Sequence, residues 1–371
     1  MKHVLRMLQN AWLYVLCVAP PSFSHAQGLA WFTSPAGRFV VFDQGRFKEL
    51  EPRTPPEVHL AGDALIYMTT EGTVKRYEAG RLDHLAQEPE GHLVADAGQV
   101  LLRVHHVWYR LTTSGPVLLA QDGGLFTLRD SLIAYHDRQQ EMLMVRWKGN
   151  THELATLTRA SDTAQWAAGS NTVLWHERKG GRLKLFHRGL VTVLSDSNDA
   201  GIVSAGGDIA AWMDLGAHLF RVWTPAGVHD VEDLRPMRFQ AGQGNVAYVS
   251  AAGSFKVWED GVAYPVLDHP PTTFGQHDSL LVWVDQGTLH VLRGHTVQAE
   301  IPFIPETWDV RGATLVYLGL DRDLRRVVSG QEEVIWKRSG VRMFTLRGDA
   351  VLFRDADDMA HVWWNGRLYS Y

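Results

Sequence analysis

Three short stretches set imidazoles beside charged neighbours at intervals of a few tens of residues: Val104-His105-His106, His136-Asp137-Arg138 and His176-Glu177-Arg178. Imidazole is a common metal ligand and changes charge near neutral pH, so these residue types can bind a cation or move a proton. If one histidine from each stretch (His105 or His106, His136 and His176) met at one point, a divalent-metal site would result. The turn role is the stronger expectation. Acidic side chains suit tight turns, polar loop tips belong in water, and equivalent loops of adjacent sheets about 10 Å apart are too far for one ion to bridge. No cofactor is expected. A seventh candidate is Arg103, in Val100-Leu101-Leu102-Arg103-Val104, where sibling segments carry an aromatic residue. A buried guanidinium needs a partner. The expectation is a structural salt bridge or a register shift that exposes it, with an anion held in a central cavity as the alternative. Arg103, His105, His106, His136, Asp137, His176 and Glu177 are thus the candidate ligand-binding residues, and none is assigned as catalytic.

The elements that must position them are marked by ten glycines: Gly45, Gly80, Gly115, Gly149, Gly189, Gly227, Gly261, Gly294, Gly330 and Gly366. Their spacing of 33–40 residues is the period of a repeat architecture. Eleven to fifteen residues before each stands a second column, Phe32, Tyr67, Arg103, Tyr135, Trp175, Trp212, Tyr248, Trp283, Tyr317 and Phe353, aromatic at nine of ten positions. The segment Thr273–Pro302 shows one full unit. Four short extended runs are joined by His277-Asp278, Asp285-Gln286-Gly287 and Arg293-Gly294. Gly and Asp belong in such turns because hairpins need positive φ or local side-chain hydrogen bonds. Apolar residues alternate or form short runs, with no helical period. The chain reads as all-β.

Between units the connection lengthens and often carries proline, as in Glu51-Pro52-Arg53-Thr54-Pro55-Pro56 and Asp268-His269-Pro270-Pro271. Proline cannot donate to a ladder, so these are crossovers between sheets. Four antiparallel strands and a crossover, repeated, is the plan of a β-propeller. The repeats resemble the broad superfamily of WD40-like and TolB-like propellers over nearly all of residues 27–371, without one family's recurring motif. The predicted fold is a β-propeller of about ten repeats of ~36 residues, four strands each. Two smaller propellers, divided near Gly149, are the alternative. The first copy begins at its second strand, Leu29-Ala30-Trp31-Phe32. The regular third-strand tryptophans Trp147, Trp223, Trp258 and Trp363 are expected to pack between blades.

Residues 1–26 read as a secretory signal peptide: Lys2 and Arg6, an apolar run from Ala11 to Ala19, then Ser24-His25-Ala26. Cys17 is the one cysteine, so the mature chain has no thiol or disulfide, which a chain of this size does not need. The net charge is −5, and loss of Lys2 and Arg6 makes it more acidic. That balance argues against a nucleic-acid partner. No later stretch approaches the ~20 apolar residues of a membrane helix, and the short strands fall below the ~9–11 residues of a membrane barrel. No serine nucleophile elbow, phosphate loop or zincin helix is present. Asp355-Ala356-Asp357-Asp358 lacks the spacing of a calcium loop. The expectation is a periplasmic or secreted, non-catalytic scaffold that binds a protein, peptide or glycan on a propeller face. A propeller hydrolase or lyase acting on a polysaccharide is the alternative.

Overall fold

The computed structural model describes residues 28–371 except 97, 130, 158–165, 178–180, 197–199, 278 and 339. The expected signal peptide, residues 1–26, lies outside the described residues. Nine sheets of four strands and one of three follow one another along the chain, each a simple antiparallel meander. No helix occurs among the described residues. The three-stranded sheet is the first, Leu29–Thr33, Phe39–Asp43 and Arg46–Glu51, which take the places of second, third and fourth strands.

The ten glycines close the hairpins between third and fourth strands, and every one has positive φ. In seven of these turns the preceding residue is left-handed as well, as at Arg188 (φ 49°) and Gly189 (φ 93°). Two left-handed residues make the type I′ turn, whose twist matches that of the flanking strands. Nine of the ten third–fourth pairings then slip by one residue a few positions further on, for example between Leu183 and Lys184. Such bulges increase the twist of the outer strand.

First strands of neighbouring sheets lie against one another, as Glu57–Ala61 against Gly91–Asp96 and Trp166–Ala168 against Ala200–Ala205, so they are innermost around the axis. The fourth strands form the rim. No single central core exists. Apolar side chains gather instead in slabs between consecutive blades, one for each junction. The last junction closes the ring: Ala30 and Phe42 of the first blade pack with Ala350 and Val362 of the tenth. Gly28 N–H donates to Asp349 Oδ1 at 2.9 Å across the same seam. The molecule is therefore one ten-bladed propeller. The alternative of two smaller rings fails where it was expected to hold, because Leu132, Leu143 and Val145 pack continuously with Val173, Trp175 and Phe186 across the fourth and fifth blades.

All nine aromatic residues of the second-strand column are buried in these slabs. Trp223 and Trp258 are buried with them, and Trp147 and Trp363 pack at their margins, so the third-strand tryptophans do pack between blades. At the inner end of the fifth to seventh blades, the first turns approach backbone to backbone. A Cβ at Gly169 would lie 1.8 Å from Gly206 O, and one at Gly206 would lie 1.9 Å from Gly242 O. Gly207 N–H donates to Gly242 O at 2.9 Å in this stack.

Candidate functional site

The second-to-third-strand turns and the crossovers share one face of the ring, and the first-to-second and third-to-fourth turns share the other. On the first face the structure separates the histidine-bearing stretches. His105 sits at φ 58° in a two-residue turn, exposed, its Nε2 2.9 Å from Glu90. His106 is exposed beside it, and its carbonyl accepts Gly123 N–H at 3.0 Å. His136 and Asp137 were expected at a solvated loop tip; both are buried at the end of strand Leu132–Asp137. Asp137 Oδ1 accepts the backbone N–H groups of Gln139 and Gln140 at 3.0 and 3.1 Å, which fixes the turn. His136 Nε2 is buried without a hydrogen bond. His176 and Glu177 are half-buried, and Glu177 is paired with Lys184 at 2.8 Å. Among the described residues, no three His, Cys, Asp or Glu side chains gather so as to hold a metal ion.

Arg103 follows the expected register shift. It is exposed, with its guanidinium 5.7 Å from the Trp108 ring centre. The hairpin of the third blade turns on His105 and His106 alone, which places Trp108 directly opposite Arg103. Trp108 then supplies the aromatic group to the slab between third and fourth blades, 4.1 Å from Phe126. The column moved across one strand, and the arginine was left outside.

Elsewhere on this face imidazole–carboxylate pairs join neighbouring elements, as His92 Nδ1 lies 3.0 Å from Glu57 between the third and second blades. His269 Nε2 lies 3.0 Å from Asp285 and its Nδ1 2.6 Å from Asp268. These bonds raise the His269 pKa, Asp268 acting most. His361 Nε2 lies 3.1 Å from Asp355, which also accepts the N–H groups of Asp357 and Met359. The acidic run around Asp355 is thus a self-satisfied turn.

The opposite face carries a cleft of about 540 Å³ spanning the seventh to ninth blades. Asn245, Glu259, Ser279, Arg293, Thr296 and Gln298 line it. Asn245 and Glu259 begin and end paired strands and stand opposite each other. Gln276 Nε2 holds Asn245 Oδ1 at 2.7 Å, which leaves the buried Gln276 Oε1 without a hydrogen bond. Glu259 Oε2 is also buried without a hydrogen bond, with His295 Nε2 3.4 Å away. Burial pushes the Glu259 pKa up, against the pull of His295. Tyr264 packs on His295 with ring centres 4.3 Å apart and donates to Gly294 O at 3.0 Å. Burial, then the charge of Glu259, pushes the Tyr264 pKa up to about 12. Sequence reasoning passed over this cleft because its residues sit in turns read as scaffold. The available signal was the pairing of Glu259 with a histidine one repeat later, directly after Gly294.

Ten blades around one axis, nine of four strands and the first of three, define the class: a β-propeller, larger than the four to eight blades typical of the architecture. Residues 23–369 match the family described as the 10-bladed beta propeller domain, and the chain belongs to it. No curated protein is significantly similar in sequence. Among solved structures, the computationally designed Ika8 protein is similar at 13% identity, 83% of this chain, 95% of that chain and a TM-score of 0.38. Hsv2p of Kluyveromyces lactis is similar at 11% identity, 65% and 93% coverage and a TM-score of 0.31. The CRINKLY WD40 ectodomain of the Arabidopsis thaliana receptor kinase ACR4 is similar at 11% identity, 75% and 98% coverage and a TM-score of 0.40.

Proposed function

We propose that this protein is an exported, non-catalytic binding scaffold whose blade 7–9 cleft takes a basic side chain from a protein or peptide partner. The observation that carries the reading is Glu259 Oε2: a buried carboxylate oxygen with no hydrogen bond, at the edge of a polar cleft. A buried acceptor whose nearest partner is His295 Nε2 at 3.4 Å, outside hydrogen-bond geometry, is costly, and a ligand N–H that reaches it lowers that cost. An ammonium or guanidinium does so with charge as well, which makes the bond roughly twice as strong as a neutral one. Export is supported by the leader-like residues 1–26, and cleavage after Ala26 would place residues 27–371 in the periplasm or medium.

The test is calorimetric titration of the purified protein with a Lys/Arg-rich peptide, an acidic peptide of equal length and a neutral oligosaccharide. The basic peptide is expected to bind, and Glu259→Gln to weaken it at least tenfold. Oligosaccharide binding indifferent to Glu259→Gln would overturn the reading. The second reading, a polysaccharide hydrolase or lyase, draws support from the His269–Asp285 and His361–Asp355 pairs, and turnover abolished by His269→Ala or His361→Ala would establish it. Mass determination of the protein from periplasm and medium tests the cleavage site.

A further inference from the structure

The rim of the ring exposes ten fourth strands, each with an unpaired edge. Such edges invite pairing with other chains unless a charge, a proline or a β-bulge blocks it. The bulge of the fifth blade's outer strand falls at Leu194, beyond Val191 and Val193. Seven of the ten carry a Lys, Arg, Asp or Glu, and two more, Gly115–Ala120 and Val262–Leu267, carry Pro116 and Pro265. The fifth blade's outer strand, Leu190–Ser195, has neither. Its sequence is Leu-Val-Thr-Val-Leu-Ser, and Leu190, Val191 and Val193 are 74%, 51% and 46% exposed.

The phase of its hydrogen bonds follows from the turn before it. Arg188 and Gly189 form a two-residue I′ turn, which makes His187 and Leu190 a hydrogen-bonded pair. Leu190 and Thr192 therefore bond inward to the third strand, and Val191 and Val193 turn their N–H and C=O groups outward. The residues from Leu190 to Leu194 read the same in both directions: Leu-Val-Thr-Val-Leu. An antiparallel pairing of this strand with a copy of itself, centred on Thr192, sets Val191 of one copy opposite Val193 of the other. Both outward-facing backbone pairs then bond, and the two Thr192 side chains meet on the two-fold axis. Cross-strand β-branched pairs and Thr–Thr contacts are favourable in such ladders, and a self-complementary patch is what a two-fold dimer requires.

We infer that two copies of this chain associate edge to edge through Leu190–Ser195, joining two fifth blades into one eight-stranded sheet. The inference is independent of the Glu259 cleft.

Sedimentation velocity over a concentration series is expected to show a monomer–dimer equilibrium. Val191→Lys places a charge on the edge without touching the inner ladder, and is expected to raise the dissociation constant at least tenfold with an unchanged circular dichroism spectrum. The register is read separately in a Cys17→Ser background, which removes the one native thiol. Thr192→Cys brings two sulfurs together across a non-hydrogen-bonded pair, with Cα atoms about 4.5 Å apart, and is expected to cross-link on mild oxidation. Val191→Cys, whose two copies lie on a diagonal, is expected to cross-link far more slowly. A wild-type protein that stays monomeric at every concentration overturns the inference, as does a dimer unaffected by Val191→Lys. Equal cross-linking from both cysteine variants overturns the two-fold register.

Discussion

Tyr67 donates its phenolic hydrogen to Glu51 at 2.7 Å across the junction of the first and second blades. Lys75 Nζ reaches the same carboxylate oxygen, also at 2.7 Å. The arrangement recurs five blades on, where Tyr248 and Lys256 meet Glu232 at 2.9 and 2.8 Å with identical spacing along the chain. Burial, reinforced by the glutamate, raises both tyrosine pKa values, so both phenols stay neutral at physiological pH. Tyr67→Phe is expected to cost about 1.5–3 kcal/mol, the range for a bond to a charged acceptor. Tyr248→Phe should cost a similar amount, and the double variant should show their sum, because the sites share no partner. Urea unfolding of the three variants measures this, and a double variant no less stable than either single one would contradict it.

The stacked turns at the inner end of the fifth to seventh blades leave no room for a methyl group. Gly206→Ala forces a Cβ against the Gly242 carbonyl, where neither backbone can move without disturbing the next blade. A loss of about 3 kcal/mol or more is expected. Gly80→Asn, in an open left-handed turn, should cost far less, since Asn tolerates that conformation. Thermal midpoints of the two variants decide whether the close approach or glycine's backbone freedom matters more.

Asp208 predicts an acid limit to stability. Burial works to raise its pKa, but hydrogen bonds from His187 at 2.9 Å and Arg188 at 2.7 Å outweigh it and hold the carboxyl below its ordinary range. A depressed carboxylate stabilises the fold above its unfolded value of about 3.9, and that contribution fades as pH falls through the lower native value. Wild-type protein should lose stability below about pH 4, and Asp208→Asn should show a shallower acid slope. Unfolding midpoints from pH 7 down to pH 3 test the difference in slope.

Glu259 has the opposite sign. Its raised pKa means the native state takes up a proton more readily than the unfolded chain. The cost is absent below the unfolded value of about 4.3 and grows as pH rises through the native pKa. Glu259→Gln is therefore expected to raise the thermal midpoint at pH 7 and to leave it unchanged near pH 4. A midpoint that falls at pH 7 would show that the carboxylate stabilises the cleft.

Arg103→Met should be nearly neutral. The guanidinium is exposed and its contact with Trp108 is of the solvent-facing kind, worth about 0.5–1 kcal/mol. Trp108→Ala, which opens a gap between third and fourth blades, should cost about 3–5 kcal/mol. Denaturant midpoints of both variants measure the contrast.

The blade plan was legible because each turn glycine needs positive φ and each aromatic residue fills the equivalent place in its own slab. Those constraints act within a few residues and leave a periodic trace. A register shift exposing Arg103 was legible as an expectation; that Trp108 on the partner strand would take the aromatic place was not, because it depends on which residues the turn sets opposite each other. His136 was misplaced for a related reason: the strand runs on through Asp137, whose carboxylate caps the turn from inside. The bulges after the third-to-fourth turns do leave a trace, since the extra fourth-strand residue is Leu, Val or Ile in eight of the nine, as at Leu50, Leu194 and Ile335. The Glu259 cleft joins residues from three blades, and adjacency around a ring is visible only once the ring has closed.

That closure also governs how the molecule comes apart. In an open stack of repeats the terminal unit can peel away by exposing one interface. Here every blade, including the one at the Gly28–Asp349 seam, is bounded on both sides, so releasing any of them wets two slabs at once. Nearest-neighbour coupling without free ends has no cheap site of initiation. Amide exchange in the inner strands should accordingly proceed through one concerted opening of the whole circle, with no gradient running inward from either terminus.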